Sequence, residues 1–138
     1  MIDFTCDYSE GAHPAILERL VDTNFEQTPG YGEDRYCQAA REKIRACCGD
    51  VDVHFLVGGT QANLTVIAFL LKPWQGVLCA DTGHINQHET GAIEATGHKV
   101  LSLPSRDGKI TATQVEQAVR EHRVDATHEH RVQPGMVF

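Results

Sequence analysis

The sequence predicts an α/β fold in which helices cover a mostly parallel sheet. Three observations carry this expectation. From residue 51 onward, strand-like apolar runs alternate with helical patterns, as they do in chains built of βα units. Each change of pattern falls at a Gly, Pro, Asp or Asn cluster that marks a turn. The 138 residues, 41% hydrophobic and 22% charged, are enough for one ordinary core.

Taken in order, residues 1–11 and 23–34 read as loops. Between them His13-Pro14-Ala15 opens a helix, with proline at a tolerated first position. Ile16, Leu17, Leu20 and Val21 share its face. A second helix spans about 33–48. Glu33 and Asp34 sit at its positive end, Tyr36, Ala40 and Ile44 recur four apart, and Gly49 stops it. Residues 51–57 read as a strand, Gly58-Gly59 as a turn, and 60–71 as an apolar helix closed by Lys72-Pro73. A short buried strand is expected at 77–80, and one small-residue helix from His84 to about Thr96, ended by Gly97. A strand at 99–103 and a helix at 111–122 follow, the helix opened by the capping box Thr111-Ala112-Thr113-Gln114. Val115, Ala118, Val119 and His122 form its inner face. Residues 135–138 read as the start of another strand, which gives an N-terminal arm and helices (1–50) followed by βα units (51–138).

Twelve basic against nineteen acidic residues leave a net charge of −7. That balance disfavours nucleic acid and anionic membrane as partners but leaves room for one small phosphate held by backbone groups. The longest apolar run, 66–71, is far short of the ~20 residues of a spanning helix. No basic, apolar leader opens the chain. Five cysteines (Cys6, Cys37, Cys47, Cys48 and Cys79), odd in number and without a C-x-x-C pair, read as reduced thiols of a cytoplasmic protein.

Chemistry concentrates in a few places. At Gly58-Gly59-Thr60-Gln61, glycines let a ligand approach the backbone, and a helix start supplies N–H groups and a positive dipole end. Two readings stand there, a phosphate cradle and a plain strand-to-helix turn. Asp81-Thr82-Gly83-His84-Ile85-Asn86-Gln87-His88-Glu89 follows a strand, on the rim where open parallel sheets bind ligands. His84 and His88, four apart, suit a metal by spacing but lack a third ligand. His84 can instead stack on a flat cofactor or move a proton, and spacing alone favours plain surface histidines. Tyr31 tips a glycine-broken loop and reads as a lid or a partner contact. His122, His128 and His130 read as a solvated connection, and Cys6 beside Asp7 as an inert small residue.

Together these motifs resemble the threonine aldolase and aromatic amino-acid β-eliminating lyase group of pyridoxal-phosphate enzymes. Asp7, then Tyr31-Gly32-Glu33-Asp34, then Gly58-Gly59-Thr60-Gln61-Ala62-Asn63-Leu64, then His84 with Glu89-x-Gly91-Ala92 follow in the family's order. The resemblance implies a three-layer helix–sheet–helix arrangement, the N-terminal part of the large domain of a fold type I enzyme. It implies that Gly59, Thr60 and Gln61 hold the phosphate of pyridoxal 5'-phosphate. His84 would stack on the pyridine ring and take part in proton transfer, with Glu89 orienting residues around it. Cys6, where the family often carries serine, and Asp7 would approach the substrate carboxylate. Tyr31 would reach the active site of a neighbouring subunit in a homodimer or homotetramer.

The implied activity is cleavage of a β-hydroxy amino acid to glycine and an aldehyde, or elimination of a β-substituent. A non-catalytic module that binds phosphate or a partner chain is the alternative. The family's Schiff-base lysine and ring-nitrogen aspartate lie past residue 138. Lys43, Lys72, Lys99 and Lys109 match no such context. The expectation is therefore that this chain is incomplete, inactive alone, and self-associating through the strand edge at Phe138.

Overall fold

The computed structural model describes residue 6 and residues 8–138. Asp7 lies outside the described residues, as do the first five positions of the expected N-terminal loop. The chain divides into two units, Met1–Phe55 and Leu56–Phe138.

The first unit carries α1 (Pro14–Thr23) and α2 (Arg35–Cys48). Helix α1 starts where Pro14 needs no N–H partner, and His13 Nδ1 accepts from the Ala15 N–H at 3.2 Å. Asp34 caps α2 by accepting the N–H groups of Tyr36 and Cys37, each at 2.9 Å. Gly49, at φ 87°, ends it in the left-handed region. Neither helix buries a residue completely.

Residues 51–57 form no strand. A strand is made by ladder partners rather than by β-branched composition, and here the backbone groups go to side chains. Within the first unit, Arg45 Nε donates to the Val51 carbonyl at 3.0 Å and Arg41 Nε to that of Val53 at 3.4 Å. Within the second, the Val57 N–H donates to Gln61 Oε1 at 2.8 Å.

The second unit is the α/β body. It runs α3 (Gly59–Leu70), β1 (Gln75–Ala80), α4 (His84–Gln87), β2 (Lys99–Leu103), α5 (Ala112–Val124) and β3 (Gln133–Val137). Its three strands pair in parallel in the order β2-β1-β3. The central strand is buried on both faces, as a parallel strand must be. On one face Val77 and Cys79 join Ile67 of α3, Leu71 just past its end, Ile85 of α4, and Ile93 and Val100 in one apolar cluster. Leu78, pointing the other way, lies beside Val115 and Val119 of α5. A bulge between Gly76 and Val77 puts Gly135 opposite no residue of β1, and a Cβ there would come within 2.9 Å of Leu71.

The single helix expected from His84 to Thr96 is broken. After four residues the chain turns through Thr90 (φ 54°) and Gly91 (φ 76°), and a 3-10 turn at Glu94–Thr96 precedes Gly97. The capping box of α5 forms as expected. His122 is buried, as an inner-face residue should be, so it does not belong to a solvated cluster with the exposed His128 and His130. No helix among the described residues is long and apolar enough to cross a membrane.

Candidate active site

Helix α3 opens without a side-chain cap. Its first backbone hydrogen bond runs from the Ala62 N–H to the Gly58 carbonyl at 3.1 Å. The N–H groups of Gly59, Thr60 and Gln61 precede that bond, so they have no partner within the helix and lie at its positive end. All three residues are exposed, and a Cβ on either Gly58 or Gly59 would meet nothing within 4 Å. Gln61 folds back to accept the Val57 N–H, which fixes the turn into the helix.

At the carboxyl end of β1, Asp81 organises the next turn. Its N–H donates to the Leu103 carbonyl at 2.8 Å, tying β1 to the end of β2. Its Oδ1 accepts both the hydroxyl and the N–H of Ser105. The Ser105 hydroxyl is the main reason, ahead of the Ser105 and Thr82 backbone donors, that the Asp81 carboxyl sits below its ordinary pKa. The Asp81 carbonyl accepts the side-chain amides of Asn86 and Gln87, each at 2.8 Å, which holds α4 against the strand end. Gly83 fits this turn because a Cβ would stand 2.9 Å from the Ala80 carbonyl.

Thus held, α4 presents His84, whose side chain is 58% exposed, while that of Glu89 is fully buried. His84 Nδ1 lies 2.9 Å from Glu89 Oε1. Asn63, on α3, donates to the same oxygen at 2.6 Å. Among the described residues nothing reaches Glu89 Oε2, although it is buried. The break in the expected helix creates this contact. In a continuous helix, positions five apart point about 140° away from each other, so Glu89 could not turn back to His84. The rings of His84 and His88 lie 5.6 Å apart.

Of the residues singled out from sequence, Gly59, Thr60, Gln61, His84 and Glu89 lie in the second unit, and Cys6 and Tyr31 in the first. Tyr31 is fully exposed and holds φ 62°, a conformation uncommon for an aromatic residue. Cys6 is half-buried. Sequence reading missed Asn63 as Glu89's partner and Ser105 as Asp81's. Asn63 had a visible signal, its place one helical turn after Gly59. Ser105 had none, being 24 residues from Asp81 in sequence.

Residues 3–137 match the profile of the beta-eliminating lyase family. The chain belongs to that family. It is 28% identical over 117 residues to the low specificity L-threonine aldolase of Pseudomonas sp. (strain NCIMB 10558), covering 83% of this chain and 34% of that protein. To the protein of the same name from Pseudomonas aeruginosa it is 29% identical over 115 residues, 81% of this chain and 33% of the relative. A solved threonine aldolase from Leishmania major superposes with a TM-score of 0.86 at 45% identity, over 95% of this chain and 38% of that one. The chain thus spans about a third of the length of its curated lyase relatives. The parallel α/β architecture expected from the residue pattern is the one this chain shares with the solved Leishmania major protein.

Proposed function

We propose that this chain is the cofactor-binding portion of a pyridoxal-phosphate-dependent, threonine-aldolase-like lyase. The observation that carries the reading is the link from the uncapped start of α3, through Asn63 and Glu89, to the exposed ring of His84. The residues present fit the cofactor. Three N–H donors at a helix start with open space before them suit a phosphate dianion, and Thr60 adds a hydroxyl. An exposed imidazole tied back by one nitrogen offers a flat face to a pyridine ring. Gly59, Thr60 and Gln61 would hold the phosphate, and His84 would stack on the ring. When bound, the cofactor supplies an electron sink for the pair released at Cα.

The substrate class is a β-hydroxy amino acid. Its cleavage breaks Cα–Cβ: the hydroxyl proton leaves, the C–O bond becomes the aldehyde carbonyl, and the electron pair goes to Cα, where protonation yields glycine. A carboxylate only accepts hydrogen bonds, so His84 carries its proton on Nδ1 toward Glu89 and turns a free Nε2 lone pair outward. That lone pair can take the hydroxyl proton. By the family resemblance, Cys6 and Asp7 would serve the substrate carboxylate. Tyr31, exposed at the tip of its loop, serves the site of a neighbouring copy in a homodimer or homotetramer. The exposed thiols of Cys47 and Cys48 accord with a reducing cytoplasm.

The test is glycine release from L-threonine by the protein carrying this chain, with and without added pyridoxal phosphate. Cofactor-dependent release that falls about 100-fold in His84→Gln is expected for a lost proton-transfer group. Release indifferent to both the cofactor and that substitution would contradict the reading.

A further inference from the structure

We propose that Asn63 is a positioning residue that acts through Glu89 to hold His84 in the tautomer protonated at Nδ1. This rests on the lyase reading only for its catalytic consequence, because the tautomer is a property of the protein alone. Glu89 is a buried carboxylate whose hydrogen bonds converge on one oxygen: Asn63 Nδ2 at 2.6 Å and His84 Nδ1 at 2.9 Å both meet Oε1. The second oxygen has no partner among the described residues. Of the two donors, only Asn63 comes from another regular element, 26 residues away in sequence. His84 is exposed and reaches Glu89 from within the same short segment, so its hydrogen bond is a local one. Asn63 stands on α3, which Ile67 anchors in the core one turn further on, and gives Glu89 a donor fixed outside that segment.

The arrangement has two consequences. A buried carboxylate needs donors, and without the Asn63 amide it would keep one, the exposed His84 ring. Asn63 also lies four residues after Gly59, on the same side of α3. The hydrogen bond that orients Glu89 therefore ties His84 to the helix whose first turn would hold the phosphate. Position and tautomer of the ring are set from the same rigid element, as carboxylate–histidine pairs set them in metal sites.

The experiment is 15N NMR of histidine-labelled protein, with His84→Gln used to assign the His84 signals, on wild type, Asn63→Leu and Asn63→Asp. Leucine keeps the volume and removes the donor; aspartate keeps the shape but exchanges the amide for a carboxyl that meets Glu89 only by sharing a proton, which alters the charge at its oxygen. A single Nδ1–H ring in the wild type that becomes a mixture of tautomers in either variant is the expected result. In the loaded enzyme kcat should fall about tenfold with KM little changed, the scale seen for outer-shell partners of histidine. An Nε2–H ring in the wild type overturns the proposal whatever the variants do. An unmixed Nδ1–H ring in a folded variant with wild-type kcat overturns it as well. If the wild type binds no pyridoxal phosphate, the lyase reading falls while the tautomer spectra still decide the role of Asn63.

Discussion

At the scale of single residues, the site depends on where a few polar atoms find partners. Asp81 shows how this couples to pH. Its carboxyl is held below the ordinary value of 3.8, first by the Ser105 hydroxyl. A carboxyl with a depressed folded pKa stabilises the native state above its unfolded pKa, and that contribution is lost as pH falls through the folded value. Urea midpoints measured from pH 6 down to pH ~2.5, the range that brackets an ordinary carboxyl, should therefore decline more steeply in the wild type than in Asp81→Asn. Equal slopes would show that Asp81 contributes nothing of this kind. Asp81 is only half-buried, so solvent screening keeps the effect modest. The same substitution also tests the turn, because the Asp81 carbonyl that anchors Asn86 and Gln87 remains. His84 should keep its position in Asp81→Asn while the share of the acid-range slope due to Asp81 disappears.

At the scale of elements, most of the site's supports could be read in advance, and the exceptions share a cause. The starts of α1, α2, α3 and α5 follow from Pro14, Asp34, Gly58-Gly59 and Thr111, because caps and glycine turns are local chemistry. Strands β1 and β2 follow from short apolar runs between turn residues. Residues 51–57 carry the same local signal but no ladder, because pairing depends on partners that composition does not specify. The break after His88 was hidden for a similar reason. Small and polar residues continue a helical pattern there, while the need to bury Glu89 against His84 and Asn63 lies across sequence. Of the candidate site, the uncapped helix start at Gly59 and the turn carrying His84 were legible, and the Asn63 and Ser105 contacts were not. One prediction belongs at this scale. Gly83→Ala should destabilise the protein by about 1–3 kcal/mol, as overpacking does, because its Cβ meets the Ala80 carbonyl 2.9 Å away and Cys79 at 3.3 Å. Calorimetry would check it, and an unchanged Tm would mean the turn relaxes freely.

At the scale of the molecule, one apolar cluster holds α3, the sheet and the loop after α4 in register. Ile67, Ile85 and Ile93 come from three different segments, and each is at most 2% exposed. Ile93→Ala should cost about 2–5 kcal/mol, and because Ile93 closes the segment that carries Glu89, pyridoxal-phosphate affinity should fall with stability. Ile16→Ala, on the half-exposed face of α1, should cost much less in denaturant titrations of the same protein. The proposed function rests on one claim, that the start of α3 cradles the phosphate of pyridoxal phosphate. The most direct test is a spectroscopic titration of the cofactor into wild type and Gly59→Val. A Cβ at Gly59 meets nothing within 4 Å, so a native-like fold is expected, with the added side chain obstructing what approaches the helix start. The account predicts native-like thermal stability with affinity at least about tenfold weaker, the worth of one lost charge-assisted hydrogen bond. Unchanged affinity in folded Gly59→Val would contradict it.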